Sequence, residues 1–133
     1  MLAKYKEQFL ERHENEMGSF FFYKNFIIAE MKEGVALNYE NSKMQYELGK
    51  KYYGNKTPFV YISHRLNSYS ITPTDHYKSV KTFPNLVGLA IVSYSSITIK
   101  VAELEKAFLD IPVNISDNLD DALYWAEDLI ISD

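Results

Sequence analysis

The stretch that decides the fold is Phe59-Val60-Tyr61-Ile62-Ser63-His64-Arg65-Leu66-Asn67-Ser68-Tyr69-Ser70-Ile71-Thr72-Pro73-Thr74-Asp75. Residues 59–63 form an almost continuous apolar run, which is typical of a central strand covered by helices on both faces. The polar segment after it leads into a helix start, because Thr72 supplies a capping hydroxyl and Pro73 suits the first helical position. Such junctions usually carry the working residues of α/β proteins. We therefore expect Arg65 and the neighbouring hydroxyls to reach an accessible edge of the sheet, with a functional site at residues 64–75.

Hydrophobic periodicity places the other elements around this strand. Aromatic and β-branched residues at 19–23 and 26–31, separated by Lys24-Asn25, predict a two-stranded hairpin. Further strands are predicted at 86–94 and 113–116, and helices at 42–53, at 72–82, after Ser95 and after Asn118. The predicted fold class is therefore α/β, with an N-terminal β-hairpin followed by helix–strand units and a mixed, mostly parallel sheet flanked by helices.

The predicted helices have recognisable caps and apolar stripes. Polar residues that favour N-caps precede three of them: Asn41, Ser95 and Asn118. The helix at 42–53 carries Met44, Leu48 and Tyr52 on one face, and Gly54 provides its left-handed end. The helix after Ser95 has a stripe that we expect to be buried, formed by Ile97, Val101, Leu104 and Phe108.

Composition limits the protein's size and setting. A chain of 133 residues is one ordinary domain, and residues 1–16 are predicted to form an N-terminal helix or arm. The chain has no cysteine, which excludes disulfides and thiolate chemistry and suggests a reducing cytoplasmic location. No apolar run approaches the roughly 20 residues of a transmembrane helix. The net charge of −4 argues against a nucleic-acid partner.

The candidate binding residues follow the central strand: His64, Arg65, Asn67, Ser68, Tyr69, Ser70 and Tyr77. Arg65 could hold a phosphate or carboxylate with two parallel hydrogen bonds, or it could form an ion pair with an acidic side chain. His64 could act as a general base or play a structural role. No metal site or cofactor is predicted, because the histidines lack a standard ligand spacing and the chain has no glycine-rich phosphate loop.

Two segments carry a family resemblance: residues 61–70 with Pro73, and the tail from Phe108 to Trp125. The chain from about Phe20 to Leu129 resembles the SpoIIAA-like group of the STAS superfamily, and in particular its small bacterial members. The resemblance implies a regulatory or ligand-binding module without turnover. In the anti-sigma factor antagonists of this group, a serine near the start of the helix after the central strand is phosphorylated. That serine would correspond to Ser68 or Ser70, although this chain lacks the Asp that stands two residues before it in the antagonists.

The sequence leaves several functions open. The first is a non-enzymatic module that interacts with a protein partner or a small ligand through residues 64–75. The second is an enzyme that uses His64 and Arg65 on an anionic small molecule. The third is a carrier of an apolar ligand such as a lipid tail. Self-association as a homodimer is a further prediction, through a hairpin edge that would carry Phe20, Phe21 and Phe22.

Overall fold

The computed structural model describes residues 2–67, 69–71, 78 and 80–132. Three of the features predicted from the sequence lie outside the described residues: Ser68, Tyr77 and the helix start at 72–75. The side chain of Ser70 lies outside them as well.

The structure contains eight described strands and three described α-helices. The strands are β1 (Phe9–Asn15), β2 (Gly18–Tyr23), β3 (Phe26–Met31), β4 (Ala36–Leu37), β5 (Phe59–Arg65), β6 (Ser70–Ile71), β7 (Leu86–Ser93) and β8 (Val113–Ser116). The α-helices are α1 (Lys43–Tyr53), α2 (Ser96–Lys106) and α3 (Leu119–Ser132), and 3-10 helices span Leu2–Gln8 and Glu40–Ser42. Residues 78, 80 and 81 are also helical. Within the described ranges, no helix is both long and apolar enough to span a membrane.

Six strands form one mixed sheet in the order β1-β2-β3-β5-β7-β8. The pairs β1–β2 and β2–β3 are antiparallel, and β3, β5, β7 and β8 pair in parallel. A separate parallel pair joins β4 to β6. The α/β fold class, the hairpin of β2 and β3 and the central position of β5 are therefore confirmed.

Side-chain alternation along β5 sends successive residues to opposite faces of the sheet. Val60 and Ile62 pack in one core together with Ala122, Leu123 and Ala126 of α3. The helix begins as the sequence predicts, since the Oδ1 atom of Asn118 accepts a hydrogen bond from the main-chain N–H of Asp121 at 2.8 Å. One face of the sheet is thus covered by α3.

The opposite face is covered by α1 and α2. Phe59 of β5 packs there against Tyr53 of α1, with ring centroids 4.3 Å apart. Tyr53 is 2 % exposed, and its hydroxyl lies 2.5 Å from the carbonyl oxygen of Tyr23 and 3.0 Å from that of Phe26. Gly54 ends α1 with a φ of +56°, as predicted. This aromatic layer positions α1 over the central strands.

The N-terminal segment differs from its prediction. A helix or arm over residues 1–16 is wrong, because the 3-10 helix ends at Gln8 and β1 pairs with β2 from Phe9 onward. Helical spacing of apolar residues is present only up to Phe9, and the polar residues after it form an edge strand. Because β1 forms the border, β2 lies inside the sheet. Phe20 and Phe22 of β2 are each only 1 % exposed. The predicted hairpin edge for self-association is therefore not available.

Helix α1 spans Lys43–Tyr53, within one residue of its prediction, and Leu48 and Tyr52 of the predicted stripe pack against the core. Its cap and the position of Met44 differ from the prediction. The residue before it is Ser42. Asn41 does not cap the helix, since its side-chain nitrogen donates to the carbonyl of Ala36 at 2.8 Å. Gly49 and Tyr53 are the buried residues of α1, whereas Met44 is 52 % exposed. The small Gly49 faces the ring of Phe83, so that α1 packs closely against this ring, which lies just before β7.

The apolar stripe of α2 is exposed, contrary to prediction. The exposed fractions are 74 % for Ile97, 48 % for Val101 and 68 % for Leu104, and Phe108, which lies just beyond the end of α2, is 51 % exposed. The buried residues of α2 are Ala102 and Glu105. The small side chain of Ala102 allows close packing, and Glu105 has a cationic partner on β5. The predicted cap is confirmed, since the hydroxyl of Ser95 accepts from the N–H of Thr98.

Candidate functional site

The carboxyl end of β5 places its polar residues on two faces of the sheet. Ser63 and Arg65 lie on the side of α1 and α2, and Arg65 pairs with Glu105 of α2. His64 has the opposite orientation and contacts Glu30 of β3. Because neighbouring residues of a strand point to opposite faces, His64 and Arg65 do not converge on one site.

Arg65 forms a buried ion pair. Its Nη1 and Nη2 atoms donate to the two carboxylate oxygens of Glu105 at 2.5 and 2.8 Å, and its Nε atom donates to Ser63 Oγ at 3.0 Å. The side chains of Arg65 and Glu105 are 8 % and 5 % exposed, so the expectation that Arg65 lies at an accessible edge is wrong. Burial alone would lower the pKa of the guanidinium, but the hydrogen bonds and charge of Glu105 outweigh it and raise that pKa.

The loop after β5 is held by three further contacts. Tyr69 Oη lies 2.8 Å from Ser63 Oγ, and the Arg65 guanidinium lies 5.5 Å from the centre of the Tyr69 ring. Asn67 donates from its side chain to the carbonyl of Met31 at 3.0 Å. Three of the predicted binding residues, Arg65, Asn67 and Tyr69, are thereby brought together.

His64 belongs to a hydrogen-bonded chain of three side chains. Its Nδ1 atom lies 2.8 Å from Glu30 Oε2, and its Nε2 atom lies 2.7 Å from Tyr94 Oη. Burial raises the pKa of the Tyr94 phenol, and the nearby carboxylates of Glu30 and Asp117 raise it further. Tyr94 is therefore a neutral hydroxyl at pH 7. The sequence did not identify Glu30 and Tyr94 as partners, because Glu30 lies on β3 and Tyr94 directly follows β7, both distant from His64 in sequence.

A partly enclosed cavity of about 100 Å³ lies between the sheet and α1. Aromatic rings form much of its wall, from Phe20, Phe22, Tyr46, Phe59, Tyr61, Tyr69 and Phe83. We call it the aromatic cavity. Ser63 and Arg65 also line it, which connects it to the end of β5. Most of the other lining residues are aliphatic, so the cavity suits an apolar ligand.

Gln45 gives the aromatic cavity an unusual polar component. It lines the cavity from α1. Its side-chain Nε2 and Oε1 atoms are both buried, and neither has a hydrogen-bond partner among the described residues. Because an unsatisfied buried polar group costs about 1–3 kcal/mol, such groups call for an explanation. The sequence did not single out Gln45, since its search for a site was centred on residues 64–75.

A second hollow lies on the α2 side of the same loop. Its volume is about 200 Å³, and its lining residues are Arg65, Asn67, Tyr69, Thr98 and Val101. With so few side chains around it, this hollow encloses a ligand less well than the aromatic cavity does. Among the described residues, no three His, Asp or Glu side chains are grouped to hold a metal ion.

No protein-family model, curated protein or solved structure matches this chain. Its class is therefore defined by geometry: an α/β domain with an aromatic cavity between its sheet and α1.

Proposed function

We propose that this protein is a non-enzymatic binding module that holds a compact, largely apolar small molecule in the aromatic cavity. The observation that carries the proposal is this cavity, with aromatic rings around it and, in its wall, Gln45, whose side chain has no hydrogen-bond partner among the described residues. Largely apolar cavities with a few polar groups are typical of small-molecule sites.

The volume of the cavity limits the size of the ligand. An engineered cavity of about 150 Å³ in another protein binds benzene. The aromatic cavity, at about 100 Å³, is of the same order, so the buried part of the ligand is about one ring in size. A long acyl chain would not fit inside, and this favours a ring-sized ligand over the lipid tail considered from the sequence.

The family resemblance supports a module without turnover. A SpoIIAA-like protein in the cytoplasm of a bacterium would act by changing its interactions with a protein partner, and a bound small molecule is one means of control. Phosphorylation of Ser68 or Ser70 remains a prediction of the same resemblance.

The enzyme alternative has less geometric support. It requires His64 and Arg65 to act on one anionic substrate, but the two side chains point to opposite faces of the sheet. In addition, the charge of Arg65 is already balanced by Glu105. His64 has a hydroxyl partner in Tyr94, although it lines neither of the cavities described above.

Thermal unfolding with single-ring compounds tests the proposal. Toluene, phenol and indole are added to the wild type and to a Val80→Phe variant, in which the larger side chain fills part of the aromatic cavity. We expect at least one compound to raise the melting temperature of the wild type in a concentration-dependent way, because a ligand that binds only the folded state stabilises it. Val80→Phe should lose this response.

Ile97→Phe is the matched control, since it adds a ring at a residue that is 74 % exposed. It should respond as the wild type does. If no compound shifts the wild type, or if Val80→Phe responds equally, the proposal is wrong.

A further inference from the structure

We infer that the ligand of the aromatic cavity is an uncharged ring compound with an amide-type group, whose donor and acceptor pair with the side chain of Gln45. This inference rests on the proposed function and specifies the chemical class of its ligand.

The first argument is the hydrogen-bonding capacity of Gln45. A glutamine side chain offers an NH₂ donor and a carbonyl acceptor next to each other. Both atoms are buried without a partner among the described residues, and Gln45 lines the cavity. A ligand with a carboxamide, lactam or similar group carries the complementary acceptor and donor, so that two hydrogen bonds can form side by side.

The second argument is that the polar groups at the β5 end of the wall, on Ser63, Arg65 and Tyr69, are engaged with one another or with Glu105. The hydroxyls of Ser63 and Tyr69 lie 2.8 Å apart and bond to each other. The Nε atom of Arg65 donates to Ser63, and its two terminal nitrogens donate to Glu105. Unlike these groups, both polar side-chain atoms of Gln45 are buried without a hydrogen-bond partner among the described residues, and we therefore assign the selection of the ligand to Gln45.

The third argument is the charge of the wall. Arg65 is the only charged residue among the described lining residues, and Glu105 neutralises it. An anionic ligand would lose its hydration in the cavity, and it would find no unpaired positive charge there to replace that hydration. Burying the anion would therefore be unfavourable. A cation would meet no carboxylate among the described lining residues. A neutral ligand avoids both costs.

Three compounds of similar size separate these possibilities. Toluene is apolar, benzamide carries a neutral donor and acceptor, and benzoate is an anion at pH 7. Their affinities are measured by titrations followed in ¹⁵N–¹H NMR spectra of the wild type, Gln45→Met and Gln8→Met. Methionine has nearly the shape of glutamine but lacks the amide, and Gln8 lies in the N-terminal 3-10 helix, away from the cavity lining.

We expect benzamide to bind the wild type at least tenfold more tightly than toluene or benzoate. The side-chain NH₂ signals of Gln45, identified by their absence in Gln45→Met, should shift on its addition. Gln45→Met should reduce the advantage of benzamide over toluene to less than threefold, while Gln8→Met should keep it.

Other outcomes overturn the inference in distinguishable ways. If toluene binds and benzamide has no advantage, or if benzoate binds most tightly, the inference fails and the proposed function stands. An advantage of benzamide that persists in Gln45→Met also overturns the inference. If none of the compounds binds, both fail. Should Gln45→Met not fold, the Gln45 side-chain signals are assigned instead from through-bond spectra of the wild type, and their shift together with the ranking of the three compounds decides.

Discussion

The guanidinium of Arg65 and the carboxylate of Glu105 form a bidentate ion pair that joins the end of β5 to the buried face of α2. Both side chains are more than nine-tenths buried. The two residues are 40 positions apart in the sequence. This pair explains why α2 turns a glutamate toward the sheet and its apolar stripe toward solvent.

Replacing Glu105 by alanine should strongly destabilise the protein. The change leaves the Arg65 charge buried without its partner, and breaking such a pair typically costs about 3–5 kcal/mol. Urea denaturation followed by circular dichroism measures the free energy of unfolding. Glu40→Ala, which removes an ion pair with Lys43 whose side chains are 77 % and 59 % exposed, should cost at most about 1 kcal/mol. Equal losses in the two variants would contradict this account of the pair.

Polar substitution of the α2 stripe should have little effect on stability. Leu104→Lys changes a side chain that is 68 % exposed, so we expect the free energy of unfolding to change by no more than about 0.5 kcal/mol. Ala102→Leu, on the buried face of the same helix, should cost about 1–3 kcal/mol through overpacking. Chemical denaturation of both variants measures the difference. A large loss in Leu104→Lys together with a neutral Ala102→Leu would show that α2 is rotated.

A methyl group at Gly88 should disturb the packing of α3 on β7. A Cβ atom there would lie 2.5 Å from Cδ2 of Leu129 and 2.8 Å from Cη2 of Trp125. We expect Gly88→Ala to lower the free energy of unfolding by about 1–3 kcal/mol. In a Leu129→Ala background the same change should cost less, because the nearest contact is removed. An identical cost in both backgrounds would argue against this packing.

The buried Tyr53 should make the protein sensitive to alkaline pH. Burial raises the pKa of this phenol above its ordinary value of about 10. Its contribution to stability is therefore complete below about pH 10 and declines above it, because the unfolded chain releases a proton that the folded protein retains. Melting temperatures between pH 8 and 11 should fall less steeply for Tyr53→Phe than for the wild type.

Tyr53→Phe also removes the hydroxyl near the carbonyl oxygens of Tyr23 and Phe26, so it should be less stable at pH 7 by about 1 kcal/mol. Tyr124→Phe changes a half-exposed tyrosine and should keep the wild-type alkaline slope. The prediction fails if Tyr53→Phe keeps the full slope as well.

Local patterns in the sequence were sufficient for much of the architecture. The apolar run at 59–63 correctly predicted the central strand, and Ser95 and Asn118 correctly predicted two helix starts. These features depend on neighbouring residues and on periodicity, which a single sequence displays directly. Strand β1 was missed because an exposed edge strand need not have the apolar alternation of a half-buried one.

The candidate site was less accessible to sequence reasoning. The position of the loop after β5 was predicted, and Arg65 and Tyr69 do line the aromatic cavity. The partners that determine what these residues do are distant in sequence, as Glu105 and Glu30 illustrate. Gln45 lies on α1 and lines the aromatic cavity. Its orientation depends on how the helix packs in three dimensions, which the pattern of apolar residues does not show.

Strand β1 has a consequence for the behaviour of the protein at high concentration. It ends the strand order on one side of the sheet, and Glu11, Arg12 and Glu14 are distributed along it. Charged side chains on a terminal strand disfavour the addition of strands from other molecules, since each addition would crowd and dehydrate these charges. The segment that is least suggestive of a strand thus places charges where the strand of another molecule would have to pair.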